Sequence, residues 1–140
     1  MILACPDCHG LCRVPDDRLD EAPRCGRCKG LLFQARPIEL TESNFEAHAL
    51  KSELPLVVDF WASWCGPCQS FAPVFTSVAA EFEPLFRFGK LNTESQQGLA
   101  ARFGIRSIPT LMVIQGGKVI AQQAGALPKQ AFTQWLKQFV

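Results

Sequence analysis

Seven cysteines carry most of the chemistry available to this chain of 140 residues. Two of them, Cys65 and Cys68, are separated only by Gly66 and Pro67. The thiolate is the reactive form of cysteine, and a helix N-terminus stabilises it through unpaired backbone N–H groups and the helix dipole. If a helix begins at this pair, Cys65 receives most of that stabilisation, while Cys68 lies one turn inside and is more buried. We therefore expect the Cys65 thiolate to be the attacking nucleophile and Cys68 to be the resolving thiol, which breaks the bond that Cys65 has formed.

Four further cysteines form two pairs near the N-terminus, Cys5-x-x-Cys8 and Cys25-x-x-Cys28. This spacing is typical of a tetrahedral zinc site. The surrounding segment has few large apolar residues, and a unit below roughly 40 residues rarely folds without a metal or disulfides. We expect residues 1–36 to form an N-terminal module around one Zn²⁺ held by these four thiolates. Two disulfides, or iron in a rubredoxin-like site, are the alternatives.

The seventh cysteine, Cys12, belongs to neither group. Its ordinary role is packing, and the alternative is a thiol that reacts when zinc is lost. His9 could replace a zinc ligand, but four well-spaced cysteines make this unnecessary. Three cations, Arg24, Arg27 and Lys29, cluster at the second cysteine pair. We interpret them as compensating the negative charge of the tetrathiolate site, in preference to a contact with nucleic acid or an acidic partner.

The elements around Cys65 and Cys68 must place them where a strand passes into a helix. Residues 56–61 are an almost continuous apolar run, which predicts a strand buried on both faces. Pro67 suits the first turn of the following helix, and Pro73 should kink it. Apolar residues with helical spacing continue that helix: Phe71, Val74, Phe75, Val78, Ala79 and Phe82.

The remaining chain predicts an α/β fold, in which a mixed sheet carries helices on both faces. A hinge near residues 35–37 separates this α/β unit, residues 37–140, from the N-terminal module. Gly116 and Gly117 indicate a hairpin turn. The further strands are expected at 38–40, 86–92, 110–114 and 119–124, and the further helices at 41–51, 99–103 and 128–139.

Composition limits the possible functions. The chain is 48% apolar, which supports a buried core, and its net charge is +1, which gives no bulk attraction to nucleic acid or membranes. No apolar run approaches the roughly 20 residues of a membrane span. Because no secretory signal precedes Cys5, we expect a cytoplasmic location.

Asp59 is the one charged residue inside the apolar strand 56–61. A buried, unpaired carboxylate costs several kcal/mol, and burial raises its pKa. Such a group could accept a proton from Cys68 during resolution, directly or through a water molecule. The alternative is an aspartate that faces a wet edge of the sheet.

Residues 61–68, WASWCGPC, resemble the active-site segment of thioredoxins. The resemblance continues through residues 90–92, 103–110 and 125–126, and so covers about residues 38–140. With the four N-terminal cysteines, the whole chain resembles the zinc-containing thioredoxin 2 class of that family. The resemblance implies a thioredoxin fold preceded by a small zinc-ribbon-like module. It also implies a protein-disulfide reductase that works by dithiol–disulfide exchange.

Individual residues acquire roles from the same resemblance. Lys90 would be the cation near Asp59, and Pro109 would follow a cis peptide bond and face the two cysteines. An apolar surface around the cysteines would bind extended substrate segments, with backbone pairing at Ile108. Its members would be Trp64, Gly66, Pro67, Ile108, Pro109, Gly125 and Ala126.

The resemblance further implies a redox-active Cys65–Cys68 disulfide that is reset by thioredoxin reductase with electrons from NADPH. Oxidised proteins would be the substrates of a monomer that needs neither membrane nor nucleic acid. The alternative function is a zinc-controlled chaperone or interaction protein with secondary redox activity. For the module itself two hypotheses stand: a sensor that releases zinc when peroxide oxidises its thiolates, or a passive docking or stability element.

Overall fold

The computed structural model describes residues 1–140. The N-terminal module contains an antiparallel hairpin of β1 (Ile2–Ala4) and β2 (Leu11–Arg13), followed by a 3₁₀ turn over Asp16–Arg18. The sequence pattern did not predict this hairpin, because strands of three residues are too short to show a period. The core of the module is small and includes two of the cysteines: Leu3, Cys5, Val14, Cys25 and Leu32, joined by Leu54 from the α/β unit.

The α/β unit is built on a five-stranded sheet in the order β3-β5-β4-β6-β7. Strands β3, β4 and β5 are parallel, whereas β6 is antiparallel to β4, and β7 to β6. The predicted mixed sheet flanked by helices is therefore confirmed. The strands are β3 (Ile38–Glu39), β4 (Leu56–Trp61), β5 (Arg87–Asn92), β6 (Thr110–Gln115) and β7 (Lys118–Ala124), and the helices are α1 (Gly66–Phe82), α2 (Gln97–Arg102) and α3 (Lys129–Lys137).

The central strand β4 is buried on both faces, as its apolar run predicts. On one face Val57 belongs to a cluster with Phe75 of α1 and Phe132 of α3. On the other face Phe60 belongs to a cluster with Leu91 and Met112. Asp59 alternates with Phe60 along the strand, so it shares the face that α1 covers.

The helix predicted at 41–51 is wrong in its first half. The Asn44 side chain accepts a hydrogen bond from the Thr41 N–H at 2.9 Å and donates one to the Glu39 carbonyl at 3.0 Å. These bonds hold residues 41–44 in a turn, since asparagine competes for backbone groups. Helical structure follows and ends as a π-helical segment, Ala47–Lys51.

The N-terminal module packs against the end of the sheet at which the inner strands β4 and β5 begin and helix α1 ends. The Ile2 carbonyl accepts a hydrogen bond from the Glu53 N–H at 2.7 Å. Cys65 and Cys68 lie at the other end of α1, whose 17 residues correspond to a length of about 25 Å. The module is thus remote from this cysteine pair. None of the helices combines the length and apolar character that a membrane span requires.

Candidate active site and metal centre

Cys65 is the N-cap residue of α1, and Cys68 lies in the first turn, with Pro67 between them at the helix start. The two cysteines are joined by a disulfide bond. The Cys65 sulfur accepts a hydrogen bond from the Cys68 N–H at 3.2 Å. The strand-to-helix placement predicted from sequence is therefore present. The expected difference in burial is small in this disulfide form, because Cys65 is 4% and Cys68 2% exposed.

The segment before β6 forms the opposite wall of the disulfide. The Ile108–Pro109 peptide bond is cis. The Ile108 carbonyl oxygen lies 3.8 Å from the Cys65 sulfur. Gly125 donates a backbone hydrogen bond to the Pro109 carbonyl at 2.8 Å, with φ at +91°. The fold therefore brings Cys65 together with Ile108, which lies 43 positions further along the chain.

The surface around the disulfide is largely open. Trp64 is 70% exposed. Pro109 is itself buried, so the exposed and half-exposed part of the expected docking surface is Trp64, Gly66, Pro67, Ile108, Gly125 and Ala126. A shallow depression of about 180 Å³ lies beside Trp64, and its other lining residues are Thr93, Ile105, Arg106, Ser107 and Ile108. Four of these lining residues were not among the predicted site residues: Thr93, Ile105, Arg106 and Ser107. The last three could have been found, because they lie inside the matching segment 103–110.

Asp59 is completely buried, and neither of its carboxylate oxygens has a hydrogen-bond partner. It lies opposite Lys90 of β5 and Leu111 of β6, so it is on the central strand and does not face a wet edge. Burial raises the pKa of Asp59 to about 7, against an opposing effect of the Lys90 charge. At neutral pH this carboxyl group can therefore both hold and release a proton.

Lys90 occupies the predicted position beside Asp59 but makes no ion pair with it among those of the structure. Its ammonium group lies 4.5 Å from the centre of the Trp61 ring, a cation–π contact. Lys90 therefore acts on Asp59 through space, and the carboxylate oxygens stay unpaired.

In the N-terminal module, the sulfur atoms of Cys5, Cys8, Cys25 and Cys28 all lie within 4.8 Å of one another. Two of the pairs, Cys5–Cys28 and Cys8–Cys25, are 3.6 Å apart. A tetrahedral zinc with bonds of about 2.3 Å to sulfur requires sulfur–sulfur distances near 3.8 Å. The donor set and its dimensions therefore fit Zn²⁺.

Backbone N–H groups support this cluster. Asp7 donates to the Cys5 sulfur at 3.4 Å, and Arg27 donates to the Cys25 sulfur at 3.3 Å. Such bonds stabilise thiolates, the form in which cysteine binds a metal. The residue after each second cysteine turns the chain with a positive φ, 62° at His9 and 67° at Lys29.

Cys12 lies beside the cluster without belonging to it. Its sulfur is 3.5 Å from the Cys25 sulfur, and burial is the main cause that raises the pKa of the Cys12 thiol. The cations of the second cysteine pair bond to the loop itself, since Arg24 donates to the Lys29 carbonyl at 2.9 Å and Lys29 to the Gly26 carbonyl at 3.0 Å. Both side chains thus brace the loop that carries the ligands.

Comparison with known proteins agrees with this geometry. The thioredoxin family model matches residues 36–138. A second model, described as thioredoxin 2, N-terminal, a zinc ribbon, matches residues 4–30.

Individual relatives match one or both parts. "Thioredoxin C-3" of Corynebacterium nephridii is 42% identical over 138 residues, 99% of this chain and 94% of that protein. The thioredoxin of Haemophilus influenzae is 41% identical over 103 residues, 74% of this chain and 96% of its own length. "Thioredoxin 2" of Chlorobaculum tepidum is 43% identical over 102 residues, 73% of this chain and 94% of its own length. The predicted resemblance is confirmed: this chain belongs to the thioredoxin family of thiol–disulfide oxidoreductases, with the zinc ribbon of thioredoxin 2 at its N-terminus.

Proposed function

We propose that Cys65 is the nucleophile of this protein-disulfide reductase and that Cys68 resolves the intermediate. The Cys65 thiolate attacks one sulfur of a target disulfide, forms a mixed disulfide and expels the other target sulfur as a thiolate. Cys68, once deprotonated, attacks the Cys65 sulfur. The Cys65–Cys68 disulfide forms, and the second target thiolate leaves. The observation that carries this assignment is the N-cap position of Cys65, where its sulfur accepts the Cys68 N–H.

Asp59 is proposed to accept the proton that Cys68 loses. A general base works best when its pKa lies near the working pH, and burial raises the pKa of Asp59 to about 7. Its two oxygens are free of other hydrogen bonds, and it lies on the face of the sheet that α1 covers. Lys90 limits the rise of that pKa by its charge.

The target segment is proposed to lie against Trp64 and Ile108, with Pro109 as the wall behind the disulfide. The exposed ring of Trp64 offers apolar contact. The backbone of Ile108 offers hydrogen bonds of the kind that add an extended segment to a sheet. Contacts of this type depend little on the amino-acid sequence of the target, which suits a general reductase.

Oxidised proteins are the proposed substrates, and a thioredoxin reductase using NADPH is the proposed source of the two electrons that reopen the Cys65–Cys68 disulfide. We place this reaction in the cytoplasm and assign it to a monomer. Cys5, Cys8, Cys25 and Cys28 would hold one Zn²⁺, which cross-links the module. Their sulfurs lie far from the redox pair, so the metal has no part in the exchange.

Reduction of an insulin-type disulfide by the Cys65→Ser variant tests this function. We expect the rate to fall to the uncatalysed background, while Cys12→Ser serves as the matched cysteine control and keeps the wild-type rate. If Cys65→Ser keeps full activity, the reductase proposal fails and the zinc-controlled chaperone or interaction protein takes its place.

Oxidant sensing by the module is a separate proposal, supported by the exposure of Cys8 and Cys28, which lets a peroxide reach two of the four thiols. Zinc release is measured while peroxide is added in small portions. We expect metal loss to accompany oxidation of the module. Retention of zinc after Cys65 and Cys68 are fully oxidised leaves only the docking or stability role.

A further inference from the structure

One cation of the α/β unit is buried against the N-terminal module. Arg87, the first residue of β5, is 2% exposed. Its guanidinium group donates to the Ala4 carbonyl at 3.1 Å and to the Glu83 carboxylate at 3.0 Å. Ala4 directly precedes Cys5, a residue of the four-sulfur cluster. A side chain 83 positions along the chain therefore fixes the backbone that carries one of the sulfurs.

The same guanidinium group holds the other side of the module. Its carbon atom lies 5.0 Å from the centre of the Phe33 ring, a cation–π contact with the segment that follows Cys28. The His9 and His48 rings form a second bridge, with Nδ1 of His9 and Nε2 of His48 at 3.0 Å. His9 follows Cys8 in the chain. The seam between the two units thus reaches the direct chain neighbours of Cys5 and Cys8, and it also includes Phe33, five positions after Cys28.

The charge of Arg87 has the sign that the cluster needs. Four thiolates around Zn²⁺ carry a formal charge of −2, and Cys5 and Cys25 are buried. Buried charge is stabilised by a nearby opposite charge in surroundings of low dielectric constant, whereas exposed cations such as Arg24 are screened by water. An arginine is protonated at any ordinary pH. Arg87 is the buried cation on this side of the cluster, but the equally buried Glu83 carboxylate pairs with it at 3.0 Å, so only part of its charge acts on the thiolates.

We propose that Arg87 is a positioning residue of the zinc site, although it belongs to the α/β unit. It fixes the backbone before Cys5, packs on the segment after Cys28 and balances part of the charge of the thiolates. Zinc affinity then depends on docking of the module, and by linkage the bound zinc strengthens docking by the same factor. This inference rests on the proposed four-cysteine zinc site and is independent of the redox roles of Cys65 and Cys68.

The direct test is a zinc competition titration with the chromogenic chelator 4-(2-pyridylazo)resorcinol. We expect Arg87→Gln to lower zinc affinity roughly tenfold or more, the usual result of removing a group that positions a metal ligand. Arg102→Gln is the matched control. Arg102 also pairs with a glutamate, Glu46, and lies 5.2 Å from the centre of an aromatic ring, that of Phe103, and both of these partners belong to the α/β unit. The zinc affinity of the Arg102→Gln protein should stay within about twofold of wild type.

Arg87→Lys covers the case in which Arg87→Gln does not fold. Lysine keeps the charge but lacks the planar fork that serves Ala4 and Glu83 together, so zinc affinity should fall several-fold. The reciprocal readout is thermal unfolding with and without zinc: removal of zinc should shift the melting temperature less in the Arg87 variants than in wild type. Zinc affinity within about twofold of wild type in a folded Arg87 variant overturns the inference. Wild-type protein that binds no zinc would instead overturn the metal site itself.

Discussion

The same Cys-x-x-Cys spacing occurs three times in this chain and has two different surroundings. In the N-terminal module, two pairs lie in loops and face each other, and backbone N–H groups point at their sulfurs. In the α/β unit, the third pair caps a helix and faces Ile108 and Pro109, whose side chains offer no metal ligand. The spacing itself therefore does not decide between metal binding and disulfide exchange. The element that follows the pair and the wall opposite it do.

The two units also differ in what holds them together. The sheet of the α/β unit separates two apolar clusters of 11 buried residues each. The module has a cluster of six, of which two are cysteines and one, Leu54, comes from the other unit. Buried apolar area is the main stabilising term in folding. We therefore expect the α/β unit to fold on its own core, whereas the module should depend on a bound metal and on its neighbour.

The largest expected effect separates the cysteine pairs by activity. Reductase activity should fall to background in Cys68→Ala, because the mixed disulfide forms but is not resolved. In Cys28→Ala the rate should stay near wild type, because the redox pair is untouched. Insulin reduction with a reductase-coupled NADPH assay measures both. Loss of activity in Cys28→Ala with the α/β unit still folded would contradict the division of labour.

Zinc removal should have the next largest effect, and it should fall mainly on the module. Structural zinc sites contribute about 10–16 kcal/mol of binding free energy in zinc-finger peptides. Chelation under reducing conditions should abolish the backbone amide signals of β1 and β2 in an NMR spectrum, while those of β4 and β6 persist. Loss of the amide signals of β4 and β6 as well, at room temperature, would show that the core of the α/β unit does not suffice to fold it.

Asp59 should give a pH-dependent effect of intermediate size. Its pKa rises from an ordinary value of 3.8 to about 7 in the folded protein. At a pH between these two pKa values, folding is accompanied by the uptake of a proton. The protonated carboxyl group of Asp59 therefore favours the folded state at low pH, and this contribution is lost as the pH rises through 7. Asp59→Asn should therefore raise the free energy of unfolding at pH 8 by up to about 4 kcal/mol, and the gain should vanish near pH 4.

The same variant should reduce disulfides more slowly. Loss of a general base costs roughly a hundredfold or more in rate. Denaturant unfolding from pH 4 to 8 and single-turnover reduction of a mixed disulfide measure the two effects. Equal stability of Asp59→Asn and wild type at every pH would exclude the buried acid as a titrating group.

The smallest expected effect concerns the exposed cations of the module. Arg24→Gln loses one bond to the Lys29 carbonyl on the protein surface, so the free energy of unfolding should change by less than about 0.5 kcal/mol. Thermal unfolding of the zinc-bound protein measures it. If Arg24→Gln lowered zinc affinity in the chelator titration as much as Arg87→Gln, the exposed cations would be the ones that compensate the charge of the thiolates.

Patterns close together in the chain predicted much of this structure. The apolar run of β4 and the helical spacing of α1 predicted the elements that meet at Cys65, and the paired cysteines predicted the four-sulfur cluster. Asp59 stood out because a charge interrupts an apolar strand. These features depend on residues within a few positions of one another, where spacing determines which side chains share a face.

Contacts between distant residues were not predictable in this way. The contact of Arg87 with Ala4 spans 83 positions, and no local pattern distinguishes Arg87 from the other arginines. The turn at Asn44 depends on two side-chain bonds that compete with a helix of good apolar spacing. The burial of Pro109 follows from the packing of its loop, which the resemblance alone did not describe.

The position of the module at the far end of α1 has a consequence for how this protein could be rebuilt. The proposed target site lies on the Trp64 side of the molecule, so a module that serves only stability sets no limit on the size or shape of a target protein. If the module has no docking role, a chimera that exchanges residues 1–36 with those of a relative should keep its range of targets and change only its thermal stability. The exchanged module would have to preserve the contacts that Arg87 makes with Ala4 and Phe33.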